Sequence, residues 1–124
     1  MESDSGGFAA LGFGVNGNDE QVATVKSWAP YLALFHADNI RKGGGGTDVE
    51  PLSSQGAVTI GYMPAGTHYF DFHHSSLDRI DAVNVDELNG GAGAMATLTY
   101  LVAEKGLDGP HSAKSTKPAR RSTQ

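Results

Sequence analysis

The sequence predicts an α/β fold, a partial mixed or parallel sheet flanked by helices. Three observations carry this. Strand-like and helix-like stretches alternate along the chain. Ala57-Val58-Thr59-Ile60-Gly61-Tyr62 is an apolar run of the kind buried inside parallel sheets. Val85 to Glu104 keeps the spacing of a helix long enough to cover a sheet.

Phe8, Leu11, Phe13 and Val15 stand among glycines and predict an extended segment over Phe8 to Val15. Asn18-Asp19-Glu20-Gln21 then reads as a helix start. Asn18 can cap, Gln21 can reach back, and the two acids suit the positive end of the helix dipole. Val22, Val25, Ala29 and Leu32 continue at helical spacing, and Pro30 should kink the last turn. Asp38 to Lys42 predicts a short strand, followed by the four-glycine run Gly43 to Gly46.

After the apolar strand, Met63 to Ser76 reads as a loop that holds three of the five histidines and three aromatics. Asn84 and Glu87 form a capping-box pattern ahead of the last helix, with Val85, Leu88, Ala92, Met95, Thr99 and Val102 at helical spacing. Gly90, Gly91 and Gly93 weaken that helix and make sense where another backbone comes close. Gly106 stops it. The chain divides into a domain of residues 1–108 and a polar, basic tail of residues 109–124, expected to be disordered.

Composition narrows the function classes. Four of the nine basic residues lie in 111–124 with no acid, so residues 1–110 carry five bases against fourteen acids, a net −9. That argues against nucleic acid as a partner. No cysteine is present, so any metal must sit on His, Asp or Glu. No run of apolar residues is long enough to span a membrane, and no membrane partner is expected. Met1-Glu2-Ser3-Asp4 lacks the basic and apolar regions of a signal peptide, and it leads directly into a strand-like stretch, as if cut from something longer.

The densest chemistry is Tyr69-Phe70-Asp71-Phe72-His73-His74-Ser75-Ser76-Leu77-Asp78. Neutral imidazole is a common metal ligand, and a nearby carboxylate can orient its second nitrogen. By spacing alone, aromatic-packed loop histidines are the simpler reading of the segment. Gly43 to Gly46 with Thr47 and Asp48 could cradle an anion, but the run lacks a P-loop lysine, and a flexible connector is the simpler reading.

Three segments in order change this balance: Met1-Glu2-Ser3-Asp4-Ser5-Gly6, then Gly43-Gly44-Gly45-Gly46-Thr47-Asp48 with Pro51-Leu52, then Tyr69 to Asp78. Over about residues 1–105 the chain resembles the C-terminal portion of zinc-dependent exopeptidases with co-catalytic metals, in the carboxypeptidase Q-like branch of the aminopeptidase family. The resemblance implies the C-terminal part of a three-layer catalytic domain. It also implies two zinc ions bridged by a carboxylate and a water that attacks a peptide or dipeptide substrate.

In such proteins the ligands run His, bridging Asp, Glu, Asp, His, with the general-base Glu just before the ligand Glu. By that pattern Asp4 matches the fourth ligand and His74 the last, on different zincs. His73 stands where many relatives have Tyr, and would line the site. Asp78 matches a recurring acid four residues after the ligand His. Gly46, Thr47 and Asp48 match a loop bordering the pocket. The remaining ligands and the general base would precede Met1, so no catalytic residue is expected in this chain, which should be inactive alone and show an uncovered sheet edge. Relatives are commonly secreted or periplasmic, and a homodimer is compatible with the resemblance. A degenerate domain kept for binding or assembly is the alternative, and an anion-binding module ranks last.

Overall fold

One mixed sheet organises the chain in the order β2-β1-β3, with β1 at Ala10–Asn16, β2 at Asn39–Lys42 and β3 at Thr59–Pro64. The computed structural model describes residues 1–107; the tail expected at 109–124 lies outside the described residues. β1 is central, parallel to β2 and antiparallel to β3. The apolar run is therefore a buried strand as expected, but an antiparallel one. Burial on both faces does not require a parallel neighbour when loops and helices cover both sides.

The core lies between one sheet face and the helices. Phe13 and Val15 of β1 are fully buried with Val25 of α1 (Asp19–Ser27), Leu32 of α2 (Ala29–Leu32) and Leu98 of α5 (Val85–Lys105). Phe13 pairs across the strands with Tyr62, ring centroids 5.7 Å apart. Burying a side chain of that kind stabilises by about 2 kcal/mol.

α1 starts on a full capping box: the Gln21 N–H donates to Asn18 Oδ1 at 2.8 Å and the Asn18 N–H to Gln21 Oε1 at 2.9 Å. The kink expected near Pro30 is a break: α1 ends at Ser27, and Pro30 sits in the first turn of α2, where its missing N–H costs no helical bond. At α5, Asn84 accepts from the Asp86 and Glu87 amides at 2.9 and 3.1 Å.

The buried stripe of α5 differs from the expected one. Gly91, Ala94, Leu98 and Leu101 face the core, while Val85 and Leu88 are exposed. Small residues at the first half of the stripe let α5 sit close to the sheet, and this rotates the larger apolar residues outward. The close neighbours are aromatic side chains rather than backbone: a Cβ on Gly91 would meet the Tyr62 hydroxyl at 2.6 Å, and one on Gly93 the Phe35 ring at 2.5 Å. Gly90 has open space.

The stretch read as a flexible connector is packed flat on the other side of the sheet. Gly43 to Gly46 all have positive φ, at 87, 98, 143 and 141°. Gly14 and Gly61, register partners on β1 and β3, present bare backbone to this loop. A Cβ on Gly14 would lie 2.4 Å from the Gly43 carbonyl oxygen, and one on Gly61 2.3 Å from that of Gly45. Beyond β3 the expected uncovered edge is covered at one point: the Glu2 N–H donates to the Ile60 carbonyl at 2.9 Å, and the Tyr62 N–H to the Glu2 carbonyl at 2.8 Å. Two one-turn helices, α3 (Glu50–Ser53) and α4 (Tyr69–Phe72), were not expected. The loop assigned from Met63 also begins late, because Met63 and Pro64 still belong to β3.

Candidate active-site cleft

α4 carries Tyr69 to Phe72 and ends abruptly at the two histidines. The His73 N–H donates to the Tyr69 carbonyl at 2.9 Å, and the His73 ring stacks on Tyr69 with centroids 4.6 Å apart. The next residue, His74, takes left-handed backbone at φ 54°. Few non-glycine residues adopt this region, and it turns the His74 ring back beside that of His73, at 4.0 Å. Ser75 stabilises the turn: its N–H and hydroxyl both donate to the Phe72 carbonyl, at 2.9 and 2.8 Å, and its oxygen accepts from the Leu77 amide at 3.1 Å.

On the facing side the N-terminal segment leaves β3 at Glu2 and passes Asp4 before it reaches β1. Phe8 of this segment meets Phe72 of α4 at 6.1 Å. Between the two lies a cleft of about 340 Å³ lined by Asp4, His73, His74, Asp78 and Arg79, with Gly6, Gly7, Phe8, Tyr69, Phe72, Ala82 and Val83. Four of the residues singled out in the sequence thus share one cavity, although Asp4 and His74 are seventy positions apart.

Gly46 and Thr47 do not share it. They line a separate depression of about 450 Å³ with Asn16, Glu50 and Thr59, and Asp48 is exposed beyond it. A second acid of the histidine-rich segment turns away from the cleft. Asp71 pairs with His68 at 2.9 Å, leaving His73 and His74 to the cleft.

Sequence reasoning missed two groups. Arg79 is the one Lys or Arg among the cleft's lining residues and touches Asp81 at 3.3 Å; its only signal was its place beside Asp78. Glu2 accepts from the Asp48 and Val49 amides through Oε2, both at 3.0 Å, and no pattern within the chain marked it. Near the cleft, burial pushes the Tyr62 phenol above its ordinary range, and Glu87 adds to this.

Asp4 and Asp78 bring carboxylates to the cleft and His73 and His74 imidazoles, whereas a catalytic zinc takes three protein ligands in one coordination sphere. Among the described residues no group of three or more His, Asp or Glu side chains is arranged to hold a metal. The residues present therefore do not make a metal site by themselves, and no chemical step through a metal follows from them alone. Among the described residues no helix is long and apolar enough to cross a membrane.

This sheet and loop arrangement has a counterpart of known structure. The crystal structure of a peptidase M28 precursor from Shewanella amazonensis superposes with a TM-score of 0.75 and 23% identity, over 82% of this chain and 23% of that one, which shows the fold. In sequence, the chain is 28% identical to carboxypeptidase Q of Bos taurus and 29% identical to that of Mus musculus, each over 104 residues. The chain is related to the carboxypeptidase Q-like branch of the zinc exopeptidases, a metallopeptidase family. No protein-family model matches it. The matched region is 84% of this chain and 22% of those relatives, so the chain spans about a fifth of their length.

Proposed function

We infer that this chain supplies one wall of a di-zinc exopeptidase site, with Asp4 a ligand to one ion and His74 a ligand to the other. The observation that carries this reading is that Asp4 and His74, seventy positions apart, line one cleft. Family order nominated both residues, and their common cavity supports the nomination. A carboxylate and a neutral imidazole are the donor types such a site uses.

The reaction is hydrolysis of a peptide bond next to a chain end, by a water whose pKa bound metal lowers. His73 and Asp78 border the reacting groups. An adjoining depression lined by Ser5, Tyr62, Met63, Pro64, Tyr69 and Phe70 offers apolar room for a substrate side chain. Gly46, Thr47 and Asp48 act one layer back, on the loop that abuts the N-terminal segment. With Asp4 and His74 each serving one ion and the general base supplied by a longer polypeptide, the 124 residues alone do not turn over. The partner is a peptide or dipeptide, and self-association into a homodimer belongs to the same proposal.

The test is hydrolysis of dipeptides and aminoacyl reporters with zinc. The 124-residue chain should show no turnover, and a polypeptide extended to the length of the carboxypeptidase Q relatives should show it. Zinc-dependent turnover by the short chain contradicts the claim of incompleteness. An extended, folded polypeptide without turnover favours the second reading, a domain retained for binding or assembly, which the short ligand count also supports.

A further inference from the structure

The cleft and the glycine-rich loop are separate cavities, yet one side chain joins the segments that form them. Glu2 lies two residues before Asp4, and its backbone is already fastened to β3 by the bonds to Ile60 and Tyr62. Its carboxylate crosses to the far end of the glycine-rich loop, where Oε2 takes both the Asp48 and Val49 amides at 3.0 Å. A carboxylate that accepts two amides makes the stronger, charge-assisted kind of hydrogen bond.

The contact is closely fitted. A Cβ on Gly46 would lie 2.2 Å from the carboxyl carbon of Glu2 and 2.3 and 2.5 Å from its two oxygens. Glu2 Oε1 is buried without a protein partner. A buried acceptor left in that state persists when surrounding contacts fix the group.

We propose that Glu2 is a positioning residue, its carboxylate locking the glycine-rich loop to the N-terminal segment and so holding Asp4 at the cleft. The loop contributes bare backbone because a side chain at position 46 would expel the carboxylate. Four glycines and one half-buried acid thus form a single latch. What Asp4 does once held rests on the proposed function, whereas the latch itself is read without metal.

The test is amide hydrogen exchange on the metal-free 124-residue chain. Glu2→Ala should speed exchange about tenfold at Asp48 and Val49, the two amides that lose their acceptor. The Tyr62 amide, which bonds the Glu2 backbone, should also speed up. Leu98 in α5 should keep its protection, which distinguishes release of the latch from general loosening.

Glu2→Gln retains an oxygen that can accept both amides and should restore most of the protection. Gly46→Ala attacks the same contact from the loop side, so Glu2→Ala and Gly46→Ala together should exchange no faster than either alone. Unchanged exchange in Glu2→Ala, equal exchange in the Ala and Gln variants, or additive effects overturn the proposal. If Gly46→Ala does not fold, the Ala and Gln variants of Glu2 decide. An extended polypeptide that binds no zinc would sink the metal reading and leave the latch to be judged by these rates.

Discussion

The sheet-and-helix half and the cleft half of this molecule are built differently. In the first, Phe13, Val15, Leu32 and Leu98 are buried to completion by the chain's own elements. In the second, Phe70, Leu77 and Ile80 are 82, 60 and 88% exposed around a turn held by Ser75 and aromatic stacking. The contrast separates two kinds of requirement. The core half follows from burial, which the chain satisfies itself. The cleft half spends left-handed backbone and exposed apolar area to display His74 and Asp4, and such local strain is characteristic of functional positions.

Substitutions can break that contrast. Leu98→Ala should cost about 2–5 kcal/mol in a urea melt, because α5 cannot collapse onto the vacated space. Apolar truncations in the cleft half, such as Ile80→Ala, should fall within about 0.5 kcal/mol of wild type. A large loss at Ile80 would mean the cleft half is structural after all. Next in size, Gly61→Ala should cost about 1–3 kcal/mol, since its Cβ meets the Gly45 carbonyl and the loop must lift.

His74→Gly should stabilise by about 1 kcal/mol by relieving left-handed backbone, even as it removes the proposed ligand. A stability gain paired with loss of zinc affinity is the signature of a residue retained for function. His36, at φ 57° after a 3₁₀ turn with no site nearby, should gain similarly as Gly but leave zinc affinity alone.

Alkaline pH sharpens the comparison further. The Tyr62 phenol is held above its ordinary value, so the folded state favours the protonated form. That contribution is complete below the unfolded phenol's pKa, about 10, and is lost as pH rises through the higher folded value. Stability followed by circular dichroism should therefore drop in that window, and less so in Tyr62→Phe. The smallest effect belongs to the exposed Lys42–Asp19 pair. Lys42 holds the Asp19 carboxyl below its usual range through a hydrogen bond and its charge. Its support is present above the ordinary carboxylate pKa and lost as pH falls through the lower folded one. Lys42→Ala should barely change a melt at high salt.

Much of the fold was legible because it rests on local chemistry. The Asn18–Gln21 box, the break near Pro30, the short strand before Lys42 and the Asn84 cap all act within a few residues. The stripe of α5 and the direction of β3 were not, since both depend on what lies across the sheet. The meeting of Asp4 with His74 followed from family order and from no periodicity. Glu2 escaped notice because its partners are forty-six and forty-seven residues away. The four-glycine run read as a flexible connector because the bare surface it rests on, at Gly14 and Gly61, lies in other strands.

The most direct test is a calorimetric zinc titration of a polypeptide extended to the length of the carboxypeptidase Q relatives, beside its Asp4→Ala and His74→Ala variants. One ligand per ion predicts saturable heat in the unsubstituted polypeptide and a smaller heat in each variant, with the folds intact. Equal heats in all three proteins would contradict it, because zinc would then be bound by residues outside the cleft.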